Sequence, residues 1–378
     1  MKKGSNPMIS PEDYRIVLKL ESNPLISYSD LADELGVSWP TAKRKLKDLK
    51  SRGVIRTPVA LYNARNLALQ RLTVIWSLET IDDLTWMEKF CDIHPYTHYR
   101  GRGYANGFIL FAQFDVPPEA VPLMNEVMEI LSKETYFIKS SFLLSSGYQA
   151  ESFPNLNFYD PLQNKWNFTW VEWLRLLTDQ NDYLPSFSDS KRISLEKWDP
   201  IDFKILREIT KNPEIKQAEL MRLFNLTRTN THIKYNLVHD NLISSVRSRF
   251  DRILFNLVNT RVFWVPTSDK KTTNRFFNLI TESPPPFRFG MDILQNNGFL
   301  LWGGALPSFQ EHQLAFSIWK LFQSFNAYTL DTSVNASTIY WFYPENFDFT
   351  THYWKIDRQY VLEKPLEELR QIKSVSYT

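Results

Sequence analysis

Lys43, Arg44, Lys47 and Lys50 place four cations within eight residues, at spacings that bring Lys43, Lys47 and Lys50 to one side of a helix. Ala42, Leu46 and Leu49 make an apolar stripe on the same helix, so the cations are left facing outward. Lysines and arginines held this way neutralise phosphates, and a short cationic helix fits the major groove of a duplex. Ser38, Trp39 and Thr41 open that helix, where side chains reach base edges. Arg56 and Arg65 follow at positions suited to backbone phosphates. A second, less charged set lies in Arg228–His239, which offers Arg228, Asn230, His232, Lys234 and Asn236. Arginine suits guanine and asparagine suits adenine, so this set is expected to read bases.

Other chemistries find less support. His94 and His98 are four apart, but Pro95 between them and an extended setting deny them one helical face. Glu311-His312 lacks a second ligand at helical spacing. The single cysteine, Cys91, excludes an intrachain disulfide and a cysteine-based zinc site. There is no phosphate-binding glycine loop and no nucleophile elbow. The expectation is a chain that is not an enzyme, with no catalytic residues, no metal and no cofactor.

Three helices must position the cationic stretch. Ser10-Pro11-Glu12-Asp13 is a helix start with a cap and a proline at the first helical position, and Asn23-Pro24 ends that helix. Ser27 caps the next helix with Asp30 three residues on, Leu31 and Leu35 share its inner face, and Gly36 supplies the turn. The third helix begins at Ser38 and closes at Gly53, and Arg56–Tyr62 is expected to form a wing. From Arg71 the pattern alternates. Strands at Arg71–Leu78, Tyr96–Tyr104, Gly107–Asp115 and Tyr136–Ser145 surround helices at Asp83–Asp92 and Pro118–Lys133. This βαββαβ order is the ferredoxin-like unit.

The chain then restates itself. Asp199-Pro200-Ile201-Asp202 repeats the first helix start, Asn212-Pro213 lies over Asn23-Pro24, and Ala218–Thr227 repeats the turn region. Val262-Phe263-Trp264 answers Val74-Ile75-Trp76, and Asn297-Gly298-Phe299 answers Asn106-Gly107-Phe108. In the tails, Trp166, Phe168, Thr169 and Trp173 align with Phe347, Phe349, Thr350 and Trp354 at an offset of 354 − 173 = 181. The expected fold class is α+β, a tandem repeat of winged helix-turn-helix and ferredoxin-like domains. The expected boundaries are 1–66 and 67–182 for the first pair, the latter with an aromatic tail helix. A linker at 183–197 precedes 198–257 and 258–378, the last with a C-terminal tail. Trp170, Trp173, Leu174 and Leu177 are spaced to pack against a sheet, and Glu363–Lys373 reads as an exposed amphipathic helix.

Composition sets outer bounds. A chain of 378 residues with 43% hydrophobic and 23% charged residues is a folded protein of two to four domains. Its net charge of +2 is too small for indiscriminate nucleic-acid binding, so any contact with DNA must be local. The start, MKKGSNPM, has no apolar run behind it, and the longest apolar run, FILFAQF at 108–114, is strand-sized. A cytoplasmic protein with no membrane contact is expected.

The stretch LADELGVS, the basic helix after it and the closing RGVI resemble the winged helix-turn-helix of Lrp/AsnC transcription regulators in order and spacing. HPYTHYRGRGYANGF at 94–108 looks like the strand pair that archaeal members carry in their ligand-responsive domain. Here the usual glycine-and-acid loop is replaced by Tyr104-Ala105-Asn106-Gly107. The resemblance implies a sequence-specific regulator of an archaeal cytoplasm whose partner is double-stranded DNA, with an unidentified small-molecule effector. It also implies that the two ferredoxin-like units meet as an intrachain pseudo-dimer through Gly107–Asp115 and Phe299–Ala305. Siroheme decarboxylase subunits share the architecture. Their histidine-tyrosine-arginine strand has a loose echo in His94, Tyr96, His98, Tyr99 and Arg100, but the second repeat carries Pro285, Phe287 and Arg288 there. A third reading is a winged helix kept for protein contact.

Overall fold

Local signals set the helix ends in the computed structural model, which describes residues 9–134, 137–184, 195–296, 298–331, 333 and 335–376. The Ser10 hydroxyl accepts the Asp13 N–H at the start of α1 (Pro11–Ser22). Ser27 does the same for α2 (Tyr28–Leu35), which Gly36 ends at φ 67°. α3 (Trp39–Ser51) buries Ala42, Leu46 and Leu49 as expected, but Ser38 makes no capping bond. Its hydroxyl instead meets that of Thr41 at 2.9 Å.

Gly36 is the left-handed hinge of this helix-turn-helix, and the corresponding position in the second unit, 36 + 189 = 225, is Asn225 at φ 50°. A Cβ at Gly36 would touch nothing within 4 Å, so the cost of Gly36→Ala is conformational alone. It is expected to lower stability in urea by about 1–2 kcal/mol with an unchanged m-value. Asn225→Gly is expected to cost nothing measurable, because asparagine already tolerates this region.

The strand after α3 does not fold back on its own unit. β1 (Ile55–Tyr62) runs antiparallel to its counterpart from the second half, β8 (Ile243–Phe250), with Ile55 opposite Phe250 and Ala60 opposite Val246. The expected wing is thus one half of a two-stranded ribbon that joins the helix-turn-helix units.

The first sheet unit follows the expected order: β2 (Gln70–Leu78), α4 (Ile81–Ile93), β3 (Thr97–Tyr104), β4 (Phe108–Val116), α5 (Val121–Glu134) and β5 (Phe137–Ser152). The tail holds a small hairpin, β6 (Tyr159–Asp160) and β7 (Lys165–Trp166), and α6 (Trp170–Arg175). The second half repeats the plan. It has α7 (Pro200–Lys211), α8 (Gln217–Phe224) and α9 (Arg228–Leu242) before β8, then β9 (Asn259–Val265), α10 (Lys270–Glu282), β10 (Arg288–Leu294), β11 (Phe299–Leu306), α11 (Ser308–Phe322) and β12 (Asn326–Leu330). A short β13 (Ser337–Ile339), the hairpin of β14 (Phe347–Asp348) and β15 (Tyr353–Trp354), and α12 (Lys364–Ser376) complete it.

Both units share one sheet, in the order β12-β9-β11-β10-β5-β2-β4-β3-β13, and β12 also pairs with β3. The two seams are β5 with β10, where Gly290 faces Glu151 and Asp292 faces Gln149, and β12 with β3, where Leu330 faces Gly103. Eight strands therefore close into a barrel. A Cβ at Gly103 would run into the carbonyl oxygen of Thr329, so the second seam needs glycine there. β4 and β11 do not form the seam. Their inward residues Ile109, Phe111 and Leu300 meet inside the barrel, with Val262 and Leu143.

Packing crosses between the halves. The core of α1–α3 is continuous with the first tail and with the helices and strands of the second sheet unit: Tyr14, Trp166, Phe255, Phe276 and Phe287 belong to one cluster. Phe203 of α7, at the position corresponding to Tyr14, joins the second tail and the first sheet unit through Phe347, Trp354, Trp76 and Phe114. Each hairpin tryptophan donates to a carbonyl at the end of the ribbon: Trp166 to Phe255 at 2.8 Å and Trp354 to Leu67 at 2.9 Å.

These pairs correct the tail alignment. Tyr159 faces Trp166 and Phe347 faces Trp354, so the offset is 354 − 166 = 188 and not 181. The C-terminal helix is also corrected. Leu366 and Leu369 are buried, as are Val361 and Leu362 just before it, and the helix packs on α4. Trp170 and Trp173 are buried as expected. Residues 185–194 of the expected linker lie outside the described residues, as do the N-terminal MKKGSNPM and Asn297. Among the described residues no helix is long and apolar enough to cross a membrane, and no cluster of histidine, cysteine and carboxylates could hold a metal.

Candidate DNA-binding face and barrel cavity

On α3 three of the four expected cations face outward. Lys43, Arg44 and Lys47 are exposed, and none makes an ion pair with another described residue. Trp39 is 46% exposed, with Tyr28 edge-on at 6.1 Å and the Lys43 ammonium 4.7 Å above its ring. Other cations nearby are occupied. Lys45 pairs with Glu12, Arg52 with Asp13 at 2.7 Å, and Lys50 with Glu214 of the second helix-turn-helix at 2.7 Å. Lys50 is therefore a strut between the units and not a free contact for phosphate. Arg56 is exposed, and directly across the ribbon stands Arg249. Burial and then Arg56 lower the Arg249 pKa, the mark of like charges held together. Arg249 was missed because nothing in the sequence says that β1 and β8 are neighbours.

The second recognition helix is less favourable. Arg228, Asn230 and His232 are exposed, and the His232 ring lies 3.2 Å from the amide of Asn236. Lys234 is turned inward, bonded to Asp199 at 2.6 Å and Asp202 at 2.9 Å at the start of α7, so it is not placed to meet DNA. The buried stripe is Thr231, Val238 and Leu242, with Tyr235 beside it. That leaves Ile233 and Leu237 outside, 58% and 41% exposed.

A different set of residues converges at the polar end of the barrel, where Leu61 and Arg247 of the ribbon roof a cavity of about 80 Å³. Asp115 is buried and takes both nitrogens of Arg71 at 2.8 Å, with His98 at 3.3 Å. Burial would raise the Asp115 carboxyl, but Arg71, His98 and Tyr62 outweigh it and hold it well below the usual carboxylate range. Burial, then Arg71, pushes His98 down to about 4, so its imidazole is neutral at pH 7. Arg247 is paired with Glu151. Asp292 accepts from Ser145 and, at 3.2 Å, from Gln149, and burial pushes it up to about 6. Arg288 is aimed into the same space.

None of Arg71, Asp115, Glu151, Arg247 or Asp292 was singled out in the sequence, and Arg288 entered only as a residue of the second repeat that departs from the histidine-tyrosine-arginine strand. The available signal was a charge on the inward register of an apolar strand, as in FILFAQFDV and RFGMDIL. The histidine-tyrosine-arginine echo is not brought together. His98 and Tyr99 look toward the cavity, whereas Arg100 lies outside the barrel on Glu88 and Asp92, both at 2.8 Å. His94 is buried against the Val361 carbonyl at 3.1 Å, and burial pushes it down to about 3.

Residues 13–56 and 199–233 match a family model described as winged helix-turn-helix DNA-binding, so the motif is present twice. No curated protein matches the chain. Among solved structures, siroheme decarboxylase NirDL in co-complex with an iron-uroporphyrin III analogue aligns with 95% of this chain and 99% of its own, at TM-score 0.53 and 12% identity. A second NirDL structure aligns at TM-score 0.50 and 12% identity, over 94% and 99%. AsnC of E. coli aligns with 36% of this chain and 92% of its own, at TM-score 0.30 and 18% identity. The likeness to NirDL is one of fold, and it extends over nearly the whole molecule. It overturns the expectation that the chain is not an enzyme, since the architecture it shares end to end is one that carries an enzyme. The expected fold class stands: α+β, with the winged helix-turn-helix twice.

Proposed function

We propose that this chain is a sequence-specific DNA-binding regulator of transcription that grips duplex DNA mainly through α3. The supporting observation is the exposed and unpaired trio Lys43, Arg44 and Lys47 on the second helix of a helix-turn-helix. Phosphate contacts come from this trio and from Arg56 and Arg249. Base edges are read by Ser38, Trp39 and Thr41 in the first unit, and by Arg228, Asn230 and His232 in the second. The ribbon and the Lys50–Glu214 pair fix the two units relative to one another.

Because the two recognition helices differ, the preferred site is two unlike halves in fixed order and not a palindrome. Sites selected from random duplexes are then altered one half at a time and titrated with the full chain. Scrambling the half under α3 is expected to weaken binding more, by at least tenfold, than scrambling the other. Equal losses from both halves of a palindrome would refute this arrangement.

The whole-chain likeness to NirDL favours a second role for the barrel, as a place where a small molecule is held or transformed. The tetrapyrrole of that protein is not carried over. A cavity of about 80 Å³ is far below the roughly 300–1,000 Å³ of sites for drug-sized ligands. The histidine-tyrosine-arginine echo is also split between two faces of β3.

A further inference from the structure

We propose that the barrel cavity beneath the β1–β8 ribbon is a binding site for one small oxyanion, a carboxylate or phosphate group anchored by Arg288. Among the described residues Arg288 has no acceptor within hydrogen-bonding range and no ion pair. Its guanidinium carbon lies 5.9 Å from the centre of the Trp302 ring. Every other charged group around it is engaged. Asp115 is bound by Arg71 and His98, Glu151 by Arg247, and Asp292 by Ser145 and Gln149. Arg252, nearby, spends its guanidinium on the Gly304 carbonyl at 2.7 Å and the Thr260 hydroxyl at 3.1 Å. The charges that weigh most on Arg288 are Arg247 and Arg252, which repel it, and Glu151, which Arg247 already holds.

A cation left this way is costly without an anion. Burial and then Arg247 and Arg252 push Arg288 down to about 9. Arginine's planar fork binds a carboxylate or phosphate through two parallel bonds. The space for that anion is built in. A Cβ at Gly290 would touch nothing within 4 Å, and Gly304 leaves room for the Arg288 stem, whose Cδ would lie 3.0 Å from a Cβ there. Trp302, Val262 and Leu300 form an apolar wall on one side. Eight-stranded barrels have room for one small ligand, and about 80 Å³ matches a single oxyanion with a short carbon chain. The site does not depend on the helix-turn-helix units binding DNA.

The test is thermal unfolding of the full chain titrated separately with inorganic phosphate, acetate and propionate at constant ionic strength. A rise in Tm that follows ln(1 + [anion]/Kd) is expected, about 2 °C at ten times Kd. Response to phosphate alone identifies a phosphate ligand, and response to acetate or propionate alone identifies a carboxylic acid. Arg288→Leu should remove the response and leave the unliganded Tm equal or higher, since it deletes an uncompensated charge. Gly290→Val, which fills the cavity and keeps Arg288, should also remove it, and it serves if Arg288→Leu fails to fold. No rise in Tm with any of the three anions would overturn the proposal. So would an equal response in either folded variant, which would mark a general effect of salts.

Discussion

Replacing Lys43, Arg44 and Lys47 together by alanine is expected to weaken duplex binding about 500-fold at 0.1 M salt. Each phosphate contact contributes about 0.9 to the salt slope, so three contribute about 2.7 powers of ten at that concentration. The slope of log K against log salt should flatten by the same 2.7. Charge reversal at the three positions adds repulsion and should take binding below detection in a gel-shift titration. Because all three are exposed and unpaired, stability should change by no more than about 0.5 kcal/mol. Lys234→Gln provides the opposite control. Lys234 is tied to Asp199 and Asp202, so its loss should lower stability and leave the salt slope where it was. A triple variant that binds as well as the parent would remove α3 from the DNA interface.

Asp115→Asn is expected to cost about 3–5 kcal/mol in chemical denaturation, the usual loss when one partner of a buried ion pair is removed. Asp115 is only 2% exposed, and the substitution leaves Arg71 uncompensated in a cavity that already holds Arg247 and Arg288. Arg71→Met combined with Asp115→Leu should recover most of the loss, because both charges then go together. The pH dependence follows from the direction of the Asp115 shift. Its carboxyl titrates lower in the folded chain than in the unfolded one, so its stabilisation is complete above about pH 4. That stabilisation is lost as pH falls through the depressed folded value. The gap between parent and Asp115→Asn should accordingly be constant from pH 5 to 7 and narrow below about pH 4. A gap that does not change with acid would mean that the carboxylate is not what Arg71 needs.

What the sequence made legible was local chemistry. The caps at Ser10, Ser27 and Asp199, the turn at Gly36 and the inward stripe of α3 each depend on residues within a few positions, and all are where they were expected. The order of strands and helices was legible for the same reason. What escaped depends on which distant strands become neighbours. Arg288 and Arg71 lie 288 − 71 = 217 residues apart and line one cavity only because β5 joins β10 and the sheet closes. Arg249 faces Arg56 only because the ribbon pairs across the halves. Lys234 takes the place of Lys45, 45 + 189 = 234, and each pairs with the start of the first helix of its own unit, a contact that only the folded three-helix unit brings about. The tails were misaligned because Phe, Trp and Thr recur so often there that an offset of 181 finds matches by coincidence. The tail hairpins, paired as Tyr159–Trp166 and Phe347–Trp354, have no such ambiguity.

The crossed packing of the halves has a consequence for how the molecule is made. Tyr14 is among the first residues of the earliest core to leave the ribosome, yet the Phe255 ring it packs beside follows 255 − 14 = 241 residues later. At about 5–20 residues per second, that is a delay on the order of 10–50 s. Throughout it, the apolar wall of α1–α3 has no covering from the second sheet unit. The first sheet unit is also made before the α7 and second-tail residues that complete its core. Non-local pairings of this kind fold slowly, because chain entropy is spent before the contacts form. Neither half of the nascent polypeptide is a finished body, and the order of translation leaves the first to wait for the second.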